Sequence, residues 1–297
     1  MSNTLGESDW ENLLQRIKDK ECTPFTGAGA CAGTLPLASE IADQWAEKYG
    51  YPLTDSGNLA RVAQFLAVDQ DPMFPKQVIR RQFQKTDPPC FEANEPHCVL
   101  ADLKLPIYIT TNYDSFMFQA LKSREREPKR ELCQWNDLIG LIEPSVLDSG
   151  FMPTPANPLV YHLHGHYEVP QSMVLTEDDY LAFLVRLSKD KEDRLLPARI
   201  RTALATTSLL FIGYSLTDWN FRVLFRGLIG SMGATLGMTS IAVQLEPSAA
   251  DPSEQGRARA QRYLNQYLEK IQRIKVRIYW GDVRKFAREL RERWEAF

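Results

Sequence analysis

The chain has 297 residues, 44% hydrophobic, 10% aromatic and 25% charged, with a formal net charge of −3. These are the proportions of an ordinary soluble globular protein, and the aromatic content alone argues against wholesale disorder. The slightly acidic balance excludes a dedicated nucleic-acid binder with a broad phosphate-neutralising surface.

The first residues carry neither a basic segment nor an apolar stretch, so no secretory signal is expected. No apolar run approaches the length of about 20 residues needed to span a bilayer. The five cysteines (Cys22, Cys31, Cys90, Cys98, Cys133) are odd in number and irregular in spacing, with no C-x-x-C pair. They suggest free thiols in a reducing cytoplasm, and neither a disulfide framework nor a zinc ribbon.

Periodicity predicts a helix over 9–20, with Trp10, Leu13, Leu14 and Ile17 on one face, and a short strand over 22–26. A helix from Pro36 to Gly50 follows, then two helical pieces over 58–84 split by prolines. Strands are expected at 106–110, 158–163, 209–212, 239–245 and 275–279. Helices are expected at 115–122, 176–187, 197–205, 218–229, 253–270 and 283–294. The charged stretch 123–130 is read as solvated and the proline-rich stretch 143–158 as a surface loop. Thr176-Glu177-Asp178-Asp179 has capping-box spacing, with Asp in place of Glu. Alternation of strands and helices predicts an α/β fold with a mostly parallel, Rossmann-like sheet covered by helices on both faces. The strandless stretch of about 51–100 reads as a helical insertion within one domain covering 1–297.

In such a sheet, ligands bind beyond the C-terminal ends of the strands. Four of the expected strands end there in unusual clusters: Gly27-Ala28-Gly29, Thr111-Asn112-Tyr113-Asp114, His162-Leu163-His164-Gly165-His166 and Gly213-Tyr214-Ser215-Leu216-Thr217-Asp218. Glycines after the first strand let the backbone approach a pyrophosphate at a helix N-terminus, or simply form a tight turn. The full G-x-G-x-x-G and a Walker lysine are both absent. Asn112 can orient a ribose hydroxyl or a water, or build an Asx turn. On an extended strand His162, His164 and His166 share one face, which opens a metal cluster as a poor option. His164, directly before a glycine, is the best acid/base candidate. His97 reads as structural or exposed. Gly213 and Ser215 can contact ribose or phosphate, while Thr217 or Asp218 caps the next helix. Trp219, Phe221 and Phe225 lie at helical spacing and suit a core better than a base-stacking platform.

Taken in this order, the four clusters resemble the sirtuin (SIR2) superfamily, and within it the bacterial SIR2-like NAD-hydrolysing effectors of anti-phage defence. Thr176-Glu177-Asp178-Asp179-Tyr180 adds to the likeness, which spans roughly residues 22–222. The resemblance implies that Gly27, Ala28 and Gly29 lie against the NAD phosphates, and that Gly213 and Ser215 hold its adenosine side. It implies that Asn112, with Thr111 beside it, is the catalytic asparagine near the nicotinamide ribose, that Asp114 borders the nicotinamide pocket, and that His164 is the active-site histidine. The two C-x-x-C pairs of the family's deacylases are missing, so no zinc module is expected. Ala30-Cys31-Ala32-Gly33 replaces the arginine-containing segment that follows the glycine loop in deacylases, with Cys31 where serine is common.

The resemblance therefore implies NAD+ glycohydrolysis that depletes NAD during abortive infection, with NAD as substrate. An NAD-dependent protein deacylase and a non-catalytic NAD- or ADP-ribose-binding module are the alternatives. Such an enzyme needs an off state. Only about 75 residues follow the last motif, so control is expected in trans. The partners implied are a homo-oligomer with a HerA-type ATPase or, second, a short Argonaute. Neither a membrane nor direct nucleic-acid binding is expected.

Overall fold

The computed structural model describes residues 5–86, 94–188, 195–215, 239–245, 253–272 and 276–297. The expected helix at 218–229, with Thr217, Asp218, Trp219, Phe221 and Phe225, lies outside the described residues, as does Cys90. Seven parallel strands make one sheet: β1 (Cys22–Thr26), β2 (Ile107–Thr110), β3 (Lys129–Leu132), β4 (Leu159–His162), β5 (Ser208–Ile212), β6 (Ser240–Gln244) and β7 (Val276–Trp280). Their order is β3-β4-β2-β1-β5-β6-β7. This is the Rossmann-like α/β sheet that the alternation predicts.

The central strands are buried along nearly their whole length because both faces are covered. Successive side chains go to opposite faces. Leu209 and Phe211 of β5 join one buried cluster with Phe25, Ile109, Tyr161 and Ile278. Leu210 and Ile212 join another with Tyr108, Val160, Ile241 and Tyr279. Over the first face lie α8 (Glu177–Ser188) and α9 (Ala198–Thr206), through Phe183, Leu187, Ile200 and Leu204. Over the second lie α1 (Glu7–Lys18), α5 (Pro96–Asp102), α6 (Phe116–Lys122) and a last helix over Val283–Ala296. The remaining long helix, Glu254–Gln272, packs against β7.

A third cluster joins α2 (Ala38–Tyr49), α3 (Leu59–Asp69) and α4 (Phe74–Phe83) through Ile41, Trp45, Val62, Leu66 and Ile79. These helices lie between β1 and β2 in sequence and pack beside the strand ends, where Met173 and Leu175 join them. Gly50 ends α2 in the left-handed conformation, with φ +69°.

Two elements depart from expectation. The charged stretch before residue 131 leads into β3, an edge strand, because its Arg130 is neutralised by Glu143 and Glu168. Edge strands tolerate such charge. A short helix, α7 (Asp137–Ile142), capped by Asn136 through the amides of Leu138 and Ile139, precedes the proline-rich loop. No helix is long and apolar enough to cross a membrane among the described residues.

Candidate active site

The strand register brings the four clusters to one level. Thr26 pairs with Thr110 and with Ile212, and Thr110 pairs with His162. The residues after these positions are Gly27, Thr111, Gly213 and Leu163, so every cluster emerges at the same edge. The chain leaves β1 toward β2 on one side and leaves β5 toward β6 on the other. The crevice between β1 and β5 is thus the topological switch point, where open α/β sheets bind ligands.

The two glycine turns at this point interlock. Gly27 N–H donates to the Ile212 carbonyl (2.8 Å) and Gly29 N–H to the Gly213 carbonyl (2.9 Å). Gly213 has φ +79°, and a Cβ there would lie 2.2 Å from the Ala30 nitrogen. Tyr214 folds over Gly27; its hydroxyl donates to the Thr26 carbonyl (2.7 Å) and shares a hydrogen bond with Thr111 Oγ1 (2.8 Å). The glycine turn does not itself open the long helix expected from Pro36. A single 3-10 turn, Ala28–Cys31, stands there instead, and α2 starts at Ala38. Gly27 and Gly29 serve the contact between turns, and the cleft is lined by Ala28, Gly213 and Ser215 at this side.

The cleft holds about 180 Å³ accessible to water. Its walls also include Cys31, Thr111, Asn112, Tyr113, Asp114, His164, Tyr180 and Tyr214, with Ile41, Ile79 and Phe83 from the α2–α4 helices as an apolar side. Asn112 and Asp114 reach it from the turn after β2, and His164 from the turn after β4. The Asn112 amide is held from behind: Nδ2 donates to the Gly27 carbonyl (3.1 Å) and toward Cys31 Sγ (3.3 Å), and its backbone N–H to Thr110 Oγ1 (3.0 Å). Its Oδ1 takes no hydrogen bond from the described residues. Asp114 uses Oδ1 to accept the Phe116 N–H (2.8 Å) and Oδ2 to accept the Cys31 thiol (3.2 Å).

The three alternating histidines part company. The strand stops at His162, and Gly165 turns the chain with φ +84°. A Cβ on Gly165 would sit 2.1 Å from the Ser172 carbonyl oxygen, so no other residue fits. His162 and His166 meet edge to face behind the cleft, with centroids 4.8 Å apart. Arg130 reaches His166 Nδ1 (3.1 Å) and occupies that nitrogen, while His164 lines the cleft without the other two. The metal cluster is therefore not formed. His164 alone faces the cleft, its ring edge-on to Tyr180 and Phe183. Its Nε2 is buried without a hydrogen-bond partner. Burial lowers the His164 pKa to about 3, so the ring is a neutral base at physiological pH.

Of its two readings, structural or exposed, His97 takes the first. It is 2% exposed, its Nδ1 lies 2.6 Å from Glu95 Oε1, and its Nε2 lies 4.0 Å from Cys31 Sγ. Burial alone would raise the Glu95 pKa, but the bond to His97 and the Cys98 N–H outweigh it and the carboxyl lies below its ordinary range. Burial, with Asp114 next, pushes the Cys31 thiol well above its ordinary range. Tyr180 and Tyr214 are further wall residues, and both belong to motifs visible in the sequence.

A model of the SIR2-like domain matches residues 106–271, more than half of the chain. The chain belongs to the SIR2-like domain family. Three curated relatives carry the name "NAD(+) hydrolase ThsA". That of Bacillus cereus (strain MSX-D12) is 23% identical over 73% of this chain and 42% of its own length. That of Cytobacillus dafuensis is 28% identical over 70% and 38%, and that of Enterococcus faecium 29% identical over 44% and 24%. This SIR2-like chain thus spans less than half the length of these relatives. A solved structure described as the "Structural Basis for the Mechanism and Regulation of Sir2 Enzymes" aligns over 98% of each chain at 13% identity, with a TM-score of 0.44.

Proposed function

We propose that this SIR2-like protein is an NAD+ glycohydrolase, and that residues 1–297 form one NAD-binding unit with the α2–α4 region folded over its mouth. The observation that carries the reading is that Asn112 and His164, the latter with a neutral ring and an unpartnered Nε2, line one cleft at the sheet's switch point. Membership of the SIR2-like family and likeness to proteins named NAD(+) hydrolase support it.

The reaction breaks the bond between nicotinamide and the ribose anomeric carbon. Water adds to that carbon, neutral nicotinamide leaves, and one proton is released. The positive charge of the oxidised nicotinamide ring makes it a good leaving group, so the protein need mainly orient the ribose and admit one nucleophile. Asn112 Oδ1 accepts a hydrogen bond from a ribose hydroxyl or from the attacking water. Its own amide N–H groups are tied to Gly27 and Cys31, which fixes the direction of Oδ1. His164 Nε2 takes the released proton. The walls at Ala28, Gly213 and Ser215 hold the phosphates and adenosine, with Gly27 and Gly29 shaping that wall from behind. Thr111 supports the adjoining turn through Tyr214, and Asp114 borders the nicotinamide end.

The wider setting follows the same reading: depletion of NAD in anti-phage defence, in the cytoplasm, with self-assembly and a partner such as a HerA-type ATPase or a short Argonaute holding the activity in check. The test is to incubate the purified protein, alone and with such partners, with NAD+ and to quantify nicotinamide and ADP-ribose. Equal release of both without any acylated peptide is expected. NAD+ loss only with an acyl-lysine peptide would make it a deacylase, and NAD+ binding without nicotinamide release in any assembly would make it a binding module.

A further inference from the structure

We propose that Cys31, His97 and Asp114 form a binding site for a zinc-type divalent cation at the floor of the cleft. The three side chains come from three separate elements, yet Cys31 Sγ, a His97 ring nitrogen and an Asp114 carboxylate oxygen all lie within 4.8 Å of one another. Thiol and carboxylate are 3.2 Å apart, and thiol and imidazole Nε2 4.0 Å. A tetrahedral zinc ion with ordinary bond lengths places such ligand atoms roughly 3.4–3.6 Å apart. The thiol–carboxylate and thiol–imidazole separations lie within a few tenths of an ångström of these values, and the imidazole and carboxylate are within 4.8 Å of each other.

The second observation is Glu95. Its Oε1 lies 2.6 Å from His97 Nδ1, so a neutral His97 that donates there presents its Nε2 lone pair toward Cys31. A carboxylate behind a histidine is the arrangement that orients and strengthens metal-ligating imidazoles. All four residues are buried, with exposures of 2–6%. Cys31 and Asp114 line the cleft, so a fourth coordination position opens toward solvent there. One thiolate, one imidazole and one carboxylate select a borderline-soft ion over magnesium or calcium. Binding forms a sulfur–metal bond, and the thiol proton goes to solvent; no redox partner is involved.

The consequence, which rests on the glycohydrolase reading, is inhibition. A bound cation would capture the Cys31 sulfur that steadies Asn112 Nδ2 and the carboxylate that borders the cleft.

The metal site itself is read without NAD+. Chelator-treated full-length protein is titrated with cobalt(II) and followed by its thiolate-to-cobalt charge-transfer absorption, then by displacement with zinc(II). One cobalt per chain is expected, with that absorption present in Cys133→Ser and absent in Cys31→Ser. Glu95→Gln, which keeps an acceptor for the helix cap, is expected to weaken zinc roughly 10–100-fold. Absence of the absorption in wild-type protein, its persistence in Cys31→Ser, or unchanged affinity in Glu95→Gln of native circular dichroism would overturn the site. Stoichiometric metal uptake that leaves nicotinamide release unchanged would overturn the inhibitory role alone. A protein that binds cobalt and never cleaves NAD+ would keep the site and lose the glycohydrolase reading.

Discussion

The backbone N–H of Gly29 donates to the carbonyl of Gly213 over 2.9 Å, which makes the turns leaving β1 and β5 a single body. Gly213→Ala places a side chain at φ +79°, 2.2 Å from the Ala30 nitrogen and 2.6 Å from the Gly27 carbonyl. Left-handed strain alone costs about 1–2 kcal/mol, and the backbone clash adds at least as much. The expected loss of about 3 kcal/mol corresponds to a drop in Tm of roughly 6–12 °C. Calorimetry on the purified variant checks it, and a Tm within a degree of wild type would show the two turns to be separable.

Asn112→Ala and His164→Gln probe the proposed chemistry. Each is expected to lower nicotinamide release by roughly 10²–10⁴-fold, the usual contribution of a positioned proton acceptor or orienting group. The Gly27 carbonyl keeps the Ala30 N–H when the Asn112 amide is removed, so the stability cost is about 1 kcal/mol. Turnover measured beside urea unfolding separates the two effects. Near-wild-type turnover in a folded variant removes that residue from the mechanism.

Much of this was legible in the sequence, and the reasons are particular. Leu209 to Ile212 is a short apolar run bounded by a polar stretch and Gly213, which announces a strand buried on both faces. The capping box at 176–179 forms as its spacing predicts: Asp179 N–H donates to Thr176 Oγ1 and Thr176 N–H to Asp179 Oδ2. What sequence pattern could not carry is tertiary pairing. Period-two spacing put His162, His164 and His166 on one face, but the obligatory turn at Gly165 depends on Ser172, seven residues on. The stretch 123–130 reads as a solvated charge run until Glu143 and Glu168 are seen to neutralise Arg130, which lies in β3. His97 has no local signal at all beyond its neighbour Glu95, because Cys31 and Asp114 come to it from the turns after β1 and β2.

Buried histidines make the fold acid-sensitive. Burial lowers the pKa of His162 and of His164 from 6.5 to about 3, and that of His166 in the same direction, with His162 and Arg130 adding to it. All three are neutral in the native state, and the unfolded chain takes up protons first as pH falls below about 6.5. Stability is therefore full above that value and declines as pH falls toward 3, by up to about 1.4 kcal/mol per histidine per pH unit. Urea midpoints at pH 7.5 and 5.5 measure it, and His162→Gln should flatten the slope. By the same logic, nicotinamide release should show no acid limb near pH 6.5, since His164 is already neutral there; a limb at that pH would mean a different base.

Lys76 and Asp179 tie the helices over the cleft to the wall that carries His164. Lys76 Nζ of α4 donates to Asp179 Oδ1 of α8 over 2.9 Å, with side-chain exposures of 7% and 14%. Asp179 Oδ2 meanwhile accepts the N–H groups of Leu175 and Thr176, and the next residue, Tyr180, stands edge-on to His164. Lys76→Met leaves a carboxylate buried without its cation and is expected to cost about 3 kcal/mol. Adding Asp179→Asn removes that charge and keeps an oxygen for the cap, so the double variant should regain part of the loss. A double-mutant cycle read by chemical denaturation gives the coupling, and strictly additive costs would show the pair to be independent. Because the contact sets where Ile79 and Phe83 of α4 close on the cleft, Lys76→Met is expected to raise the KM for NAD+ several-fold while kcat changes little. A fall in kcat at unchanged KM would place the effect on His164 instead.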